Sequence, residues 1–396
     1  MSLACWASRF GFIAAAAVAL VCASGAARAQ GFQSGAPTAL LMDAETRTVL
    51  YEKGADDLVV PASTVKIMTA ELVFRDLASG RLKLDDTLTI SEKAWRLGGS
   101  GGSSMFAQLN SRVRVEDLLR GLIVQSGNDA AVALAEGVAG SEDNFATMMT
   151  QRARELGLKK STFRNAWGGA HPEQRVTARE MAQLALHVIK TYPAYYKYFS
   201  EREFTWNKIR QLNRNPLLLM DIGADGLKTG NIDDSGFGMV GSAVDKESGQ
   251  RLVAVVYGAR TARDRGEEAR KLLNLGMRGF ESRLLFKAGE EVGAAQVFGG
   301  VVSEVPLAAT EPVRLLTPRA SSERLNGKIV YNGPLVAPIE PGQEVARLKI
   351  WRGATLALDA PLMTTEAVPL GPLHKRAWDA GVEYVTTLFR KHVLKK

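Results

Sequence analysis

The spacing of apolar and polar positions divides the chain into regions of different predicted structure. Residues 38–51 read as strand, turn and strand, because two apolar runs flank the polar stretch 43–47. Residues 236–244 and 252–257 are apolar and contain valines and aromatic residues, which favour strands, so two further strands are predicted. A helix is predicted over about 265–281. We expect the early and late strands to share one antiparallel sheet.

The region between these strands has mainly helical periodicity. Ser63 opens an apolar run and is predicted to lie in the first turn of a buried helix. Ser141 and the pair Thr177 and Glu180 have the pattern of helix N-termini, the pair as a capping box. Apolar residues follow at helical spacing: Val115, Leu118, Leu119, Leu122 and Ile123, then Phe145, Met148 and Met149, then Met181, Leu184 and Val188. The fold class predicted for residues 30–283 is therefore α/β (α+β), an antiparallel sheet with an inserted helical region.

Residues 284–370 change to short β-type segments. Ala346, Leu348 and Ile350 alternate with basic residues, the pattern of a half-buried strand. Turns are predicted at four dipeptides: Asn326-Gly327, Asn332-Gly333, Pro341-Gly342 and Arg352-Gly353. We predict a small all-β domain whose role is spacing or binding, since it shows no catalytic constellation.

The two ends of the chain differ from this body. Residues 1–29 have the pattern of a secretory signal peptide, with Arg9 before an apolar stretch and small residues around a cleavage site after Ala29. Both cysteines, Cys5 and Cys22, fall within it, so the mature chain would contain none. An alternative is that Cys22 accepts a lipid, although Leu20 and Val21 before it fit that poorly. The sequence predicts an exported protein.

The basic excess of the predicted mature chain lies mainly in its tail. Without Arg9 and Arg28 the net charge of +8 falls to +6. The segment 373–396 contributes +4 of this, six Lys/Arg against Asp379 and Glu383, so a nucleic-acid partner is not expected. Its apolar residues fall at helical spacing: Trp378, Val382, Val385, Phe389 and Val393. The segment is too charged to span a bilayer, so we predict that residues 371–396 form an amphipathic helix on an anionic membrane surface. The alternative is a terminal helix docked on the β domain.

Three short motifs suggest the chemistry. Ser63 and Lys66 are three residues apart and share one helix face, which pairs a nucleophile with a base if burial lowers the pKa of the amine. Ser126 and Asn128 sit on a turn that Gly127 would permit, where a hydroxyl and an amide can relay a proton and hold a substrate. Lys228, Thr229 and Gly230 enter the late strands, where a peptide could add as a further strand with its terminal carboxylate facing Lys228.

In this order the three motifs resemble the signature of penicillin-binding proteins and serine β-lactamases. The stretches 102–106, 125–130, 209–215 and 225–230 look like those of the low-molecular-weight D-alanyl-D-alanine carboxypeptidases. The resemblance covers nearly the whole chain, including the β domain and the basic tail. It implies a serine enzyme that needs no cofactor or metal, acts on D-Ala-D-Ala termini of peptidoglycan stem peptides and is trapped by β-lactams.

Carried over by position, the resemblance makes Ser63 the acylated nucleophile and Lys66 its base. It makes Ser126 catalytic and gives substrate contacts to Asn128, Lys228, Thr229, Gly230 and Arg265, with Arg263 as a competitor for the last role. The amides of Ser63 and of a residue near Asn231 are the expected oxyanion hole. Two departures are Asn231 and Trp167, since many relatives have His at each position.

The expected reaction is removal of the terminal D-alanine from peptidoglycan pentapeptide through an acyl-enzyme, on the periplasmic side of the inner membrane. A β-lactamase is one alternative, but no Glu-x-x-Leu-Asn stretch supplies the acidic base of one common class. A peptidoglycan-binding scaffold with a decayed site is the other.

Overall fold

A computed structural model describes residues 32–99, 102–232, 235–319, 325–352 and 355–381. The predicted signal peptide over 1–29 lies outside the described residues. So do the tail positions beyond residue 381.

One five-stranded antiparallel sheet brings the early and late strands together, as predicted. The strands are β1 Thr38–Asp43, β2 Val49–Lys53, β7 Ala224–Ile232, β8 Gly236–Val244 and β9 Arg251–Ala259. Their order is β2-β1-β9-β8-β7, and β1 pairs with β9 so that Leu40 lies opposite Val255. Every residue of β1 is buried, which explains the apolar run over 39–42.

The inserted region is helical, with two small two-stranded antiparallel sheets. The helices are α1 Lys66–Ala78, α2 Glu92–Gly99, α3 Val115–Arg120, α4 Asn128–Ala139, α5 Glu142–Glu155, α6 Ala178–Thr191 and α7 Pro193–Tyr196. One sheet pairs β3 Thr87–Thr89 with β4 Arg112–Arg114, which α2 separates in sequence, and the other is a hairpin of β5 Glu203–Trp206 and β6 Ile209–Leu212. α1 is buried along almost its full length, so it forms the centre of the helical core.

The predicted N-caps form, one of them incompletely. The Ser141 and Thr177 side chains accept from the amides of Asn144 and Glu180. The Glu180 carboxylate does not complete the predicted capping box; it accepts instead from Ser161, through both its amide and its hydroxyl. Tertiary contact replaces the local bond there, because the buried Ser161 offers two donors.

The late helix begins earlier than predicted. α8 spans Ala262–Gly279, and the Thr261 hydroxyl caps it by accepting from the Asp264 amide. Thr261 is the start signal that the prediction overlooked. α8 packs against β8 and β9, with Leu272 and Leu273 buried in the contact.

The β domain follows α8 directly. β10 Phe280–Phe286 pairs with β13 Val313–Pro318. A six-stranded sheet has the order β14 Leu325–Tyr331, β16 Glu344–Arg352, β17 Thr355–Thr364, β12 Glu304–Ala308, β11 Glu291–Phe298 and β15 Leu335–Val336. The domain limits 30–283 and 284–370 stay a proposal.

One turn prediction in this domain is wrong. Asn326 and Gly327 lie inside β14, opposite Trp351 and Ile350 of β16. The Asn-Gly signal is local, whereas the long antiparallel pairing with β16 fixes the backbone as a strand. Pro341-Gly342 does form a turn, with Gly342 at a φ of 81°.

The tail begins as a helix over 373–381, and the rest of the predicted amphipathic segment lies outside the described residues. Within the described part of the chain, no helix has the length and apolar character needed to cross a membrane.

Candidate active site

Ser63 lies on a tight turn that directly precedes α1. Residues Ala62–Val65 form a 3₁₀ turn, so the predicted first-turn position of Ser63 is confirmed with a tighter geometry. Ala62 has a φ of 49°, a left-handed conformation that an alanine adopts at some cost. Gly168 and Gly230 pack closely against this turn. A Cβ on Gly168 would lie 2.7 Å from the Ser63 amide nitrogen, and a Cβ on Gly230 would lie 3.0 Å from it. Side chains there would push the turn away.

Lys66, the first residue of α1, is fully buried beneath Ser63. Its Nζ lies 3.0 Å from Ser63 Oγ and 2.8 Å from Asn128 Oδ1. The third contact is the backbone carbonyl oxygen of Trp167, at 2.6 Å. The amine therefore touches the hydroxyl of one predicted motif and the amide side chain of another.

The surroundings of Lys66 favour the neutral amine. Burial holds the pKa of Lys66 well below its usual value, and the positive charges of Lys228 and Arg214 lower it further. Asp129 opposes the shift, because a nearby carboxylate favours the ammonium. An amine with a lowered pKa, in hydrogen-bond contact with a serine hydroxyl, is the arrangement of a general base and its nucleophile.

The second motif forms a turn in which the serine takes the unusual conformation. A π-helical turn over Gly121–Gln125 ends at Ser126, which has a φ of 65°. Gly127 has a φ of −55°, so its predicted contribution to the turn does not come from a left-handed conformation. Gly127 is needed for space, since a Cβ there would lie 2.7 Å from Asp129 Oδ1. Ser126 Oγ is buried and has no hydrogen-bond partner within the described residues.

Asp129 is a structural anchor that the sequence analysis passed over. Its buried carboxylate accepts from the Ser104 hydroxyl at 2.7 Å and from the amides of Met105 and Ala107 at 3.0 and 3.1 Å. These bonds fix the loop after α2 to the start of α4. Ser103 adds a backbone bond, since its carbonyl accepts from the Asn128 amide at 2.7 Å. The only sequence signal was the position of Asp129 directly after the second motif.

The third motif lies on β7, which is an edge strand among the described strands of its sheet. Lys228 and Thr229 are both buried there. Burial lowers the pKa of Lys228 to about 7, and the positive charges of Arg214 and Arg265 contribute. A cation in this position gains from an incoming anion, because the anion offsets the desolvation and the repulsion.

The two candidate arginines, Arg265 and Arg263, differ in solvent exposure. Arg263 is exposed, whereas Arg265 is buried and donates from Nη1 to the Gly230 carbonyl at 3.3 Å. Its Nε is buried without a hydrogen-bond partner within the described residues. Burial and the charge of Arg214 lower the pKa of Arg265 to about 10. Of the two candidates, Arg265 is the one that reaches the third motif.

A cleft of about 380 Å³ opens at Ser63 and Asn128. Arg214 stands at its mouth and donates to Ser103 Oγ at 2.7 Å. Sequence reasoning gave Arg214 no role, although it lies in the stretch 209–215 that carries part of the resemblance. The lining residues are Ser63, Gly102, Ser103, Asn128, Trp167, Gly168, Gly169, Ala170, Arg214 and Asn231. In the described part of the chain, no group of three His, Cys, Asp or Glu residues is arranged to hold a metal.

Comparison with known families covers most of the chain. The profile of the family described as D-alanyl-D-alanine carboxypeptidase matches residues 25–261. The profile described as penicillin-binding protein 5, C-terminal domain, matches residues 280–370. The two matches follow the order of the α/β part and the β domain.

Characterised relatives are similar over nearly their whole length. The D-alanyl-D-alanine carboxypeptidase DacC of Escherichia coli is 39% identical over 345 residues, which cover 86% of each chain. The carboxypeptidase DacF of Bacillus subtilis is 32% identical, with 84% of this chain and 85% of the relative covered.

Solved structures of penicillin-binding proteins are also similar to this chain. Penicillin-binding protein 5 of Haemophilus influenzae is 35% identical with a TM-score of 0.77, covering 85% of this chain and 98% of that one. Penicillin-binding protein D2 of Listeria monocytogenes, solved in an ampicillin-bound form, is 29% identical with a TM-score of 0.56. It covers 62% of this chain and 99% of that one.

Proposed function

The chain belongs to the D-alanyl-D-alanine carboxypeptidase family and is a serine-type enzyme, and from this premise we propose which residues carry its reaction. In the first step Ser63 Oγ attacks the carbonyl carbon between the two terminal D-alanines. The C–N bond then breaks, the terminal D-alanine leaves, and the rest of the peptide stays on Ser63 as an ester. Water hydrolyses the ester and restores the serine.

Lys66 is the base for the attack. As a neutral amine it has two hydrogens to donate, and the Asn128 oxygen and the Trp167 carbonyl are placed to accept them. The lone pair then faces the Ser63 hydroxyl at 3.0 Å and takes its proton. The same amine can take a proton from the attacking water in the second half of the reaction.

Ser126 passes a proton to the leaving amine. Ser126 lies two residues before Asn128, which contacts Lys66 and lines the cleft, and its buried hydroxyl has no hydrogen-bond partner within the described residues. A free hydroxyl can accept a proton from the Lys66 ammonium and donate its own to the departing nitrogen. Because Ser126 gains one proton as it gives up another, no net charge is left on its oxygen.

The substrate's terminal carboxylate binds at β7. Lys228 supplies the charge, Thr229 supplies a hydroxyl, and Arg265 adds a second cation behind Gly230. The edge position of β7 allows the substrate backbone to add as a further strand. Gly230 leaves room for the turn that carries Ser63, so the nucleophile lies beside this strand. The amide of Ser63, with one near Asn231, would then face the developing oxyanion.

The observation that carries this proposal is the 3.0 Å contact between a fully buried Lys66 amine and Ser63 Oγ. Its test is to incubate the purified protein with labelled penicillin and with a peptide ending in D-Ala-D-Ala. We expect stable labelling together with release of D-alanine. Rapid loss of the label with hydrolysed penicillin would indicate a β-lactamase, and neither labelling nor release would indicate a scaffold.

We further propose that the enzyme is exported and held at the periplasmic surface of the inner membrane by its tail. The signal-peptide pattern over 1–29 and the basic, amphipathic pattern over 373–396 support this location. Stem peptides of peptidoglycan are the proposed substrates there, and β-lactams the proposed covalent inhibitors.

Removal of residues 373–396 tests the location. The intact mature protein should sediment with anionic liposomes, less so in high salt, and the truncated protein should stay in solution with unchanged activity on small peptides. Equal sedimentation of both forms would contradict the anchor.

A further inference from the structure

One end of the β domain exposes apolar side chains in a group. Leu373, Trp378 and Val336 are 78%, 73% and 70% exposed. Val301, Val302 and Leu370 are about half exposed. We call these six residues the apolar rim. Single exposed apolar residues are ordinary, but a group at one end of a domain points to a binding surface.

Backbone pairing brings the members of the apolar rim together. β15 pairs with the end of β11, so Val336 lies opposite Phe298. Immediately after β11, Gly300 forms a bridge with Leu370, and the Val301 amide donates to the Pro369 carbonyl at 3.0 Å. Three segments distant in sequence therefore meet at the turn over 299–302.

The tail helix is fastened to the same turn. The Asp379 carboxylate accepts from the Gly299 amide at 2.9 Å, and Lys375 Nζ donates to the Val301 carbonyl at 3.0 Å. The Gly371 amide donates to the Gly299 carbonyl at 2.9 Å. Gly371 must lack a side chain here, because its Cβ would lie 2.5 Å from the Gly300 oxygen. The helix start and the turn thus move as one piece.

We propose that the apolar rim is a second membrane-contact element, in which the β domain itself inserts Val301 and Val302 into the lipid interface beside the tail helix. The inference rests on the tail anchor proposed above. Its chemistry fits a bilayer of anionic lipids: exposed aliphatic side chains and a tryptophan lie next to Lys375 and Arg376. Because the helix start is hydrogen-bonded to the turn over 299–302, insertion of both into the interface would also fix the orientation of the β domain.

A fluorophore at one position tests this insertion directly. The chain from residue 30 onward has no cysteine, so Val302→Cys gives a single attachment site for an environment-sensitive dye. The matched control is Val330→Cys on β14, at the opposite edge of the sheet from β15. Val302 and Val330 are 48% and 44% exposed, so both dyes start in water.

With vesicles of phosphatidylethanolamine and phosphatidylglycerol, we expect a blue shift at residue 302 and none at residue 330. Replacing both Val301 and Val302 by serine in the intact chain should lower the vesicle partition coefficient roughly tenfold, and Val330→Ser should leave it within about twofold. Release of D-alanine from a soluble peptide should be unchanged in every variant, which reports that the protein is folded.

The outcomes separate the two proposals. Vesicle binding with an unshifted dye at residue 302 overturns the apolar rim and leaves the tail anchor standing. A dye that shifts without vesicles, as protein concentration rises, means that a second copy covers the rim and also overturns the proposal. Absence of vesicle binding by the intact protein removes both.

Discussion

The catalytic part and the β domain place their polar groups in opposite ways. Around the cleft, Lys66, Asp129, Lys228 and Arg265 are all buried. Among the described residues of the β domain, the buried polar side chains are two threonines, Thr317 and Thr364. The β domain shows the opposite feature, because the apolar side chains of the apolar rim are exposed to solvent.

The difference in buried polar groups indicates that the charged residues at the cleft serve function, whereas the buried residues of the β domain serve folding. Burying three basic side chains, Lys66, Lys228 and Arg265, opposes stability, since burial and nearby positive charges lower their pKa values and disfavour their charged forms. An arrangement that costs stability in one place is explained by chemistry carried out there. The β domain pays no such cost internally, which fits a supporting and surface-binding role.

Loss of the base should have the largest effect. Lys66→Met keeps the length and buried position of the side chain but removes the group that takes the Ser63 proton. We expect the acylation rate to fall about 10³- to 10⁴-fold, measured with labelled penicillin and with a D-Ala-D-Ala peptide. Lys83→Met, at an exposed lysine, is the control. A loss below tenfold in the Lys66 variant would give the base role to another group.

Loss of the carboxylate-binding cation should have the next largest effect. Lys228→Ala should reduce kcat/KM on a peptide with a free C-terminal carboxylate by about 100-fold. On the same peptide amidated at its C-terminus, the reduction should be small because the ionic contact is already missing. Equal losses on the two peptides would contradict the role of Lys228.

A smaller effect is expected from Arg214 and takes the form of a pH shift. The neutral form of Lys66 is the base, so activity rises as pH passes its pKa; the charged form of Lys228 binds the carboxylate, so activity falls above about pH 7 in the free enzyme. Arg214→Gln removes a positive charge that lowers both pKa values. Both limbs of the kcat/KM profile should move up by roughly half to one pH unit. A profile that stays in place would exclude this electrostatic contribution.

The smallest effect on catalysis is expected from the core of the β domain. Leu307 is fully buried there, so Leu307→Ala should lower the free energy of unfolding by about 2 to 4 kcal/mol. The acylation rate of the folded protein should stay within twofold, which stopped-flow measurements below the unfolding temperature can check. A parallel loss of rate would show that the β domain shapes the cleft.

The fold and the centre of the site were largely predictable because their signals are local. Apolar periodicity located the sheet and the helices, and the three-residue spacing placed Ser63 and Lys66 in contact. The resemblance supplied the order of the motifs and the general plan of the β domain.

The features that could not be predicted from the sequence depend on contacts between residues distant in the chain. The Trp167 carbonyl reaches Lys66 through its backbone, so the identity of residue 167 gives no signal. Ser126 takes a left-handed conformation at the end of the π-helical turn, and a serine gives no local sequence signal for that conformation. Asn326-Gly327 became part of a strand because β16 pairs with it.

The central claim is that Ser63 forms the covalent intermediate. Its most direct test is to trap the protein with penicillin, digest it, and locate the adduct by peptide mass spectrometry. The account predicts one adduct of penicillin mass on the peptide containing Ser63, absent in Ser63→Ala although that variant keeps its unfolding temperature. An adduct on any other residue, or one that persists in the variant, would contradict the account.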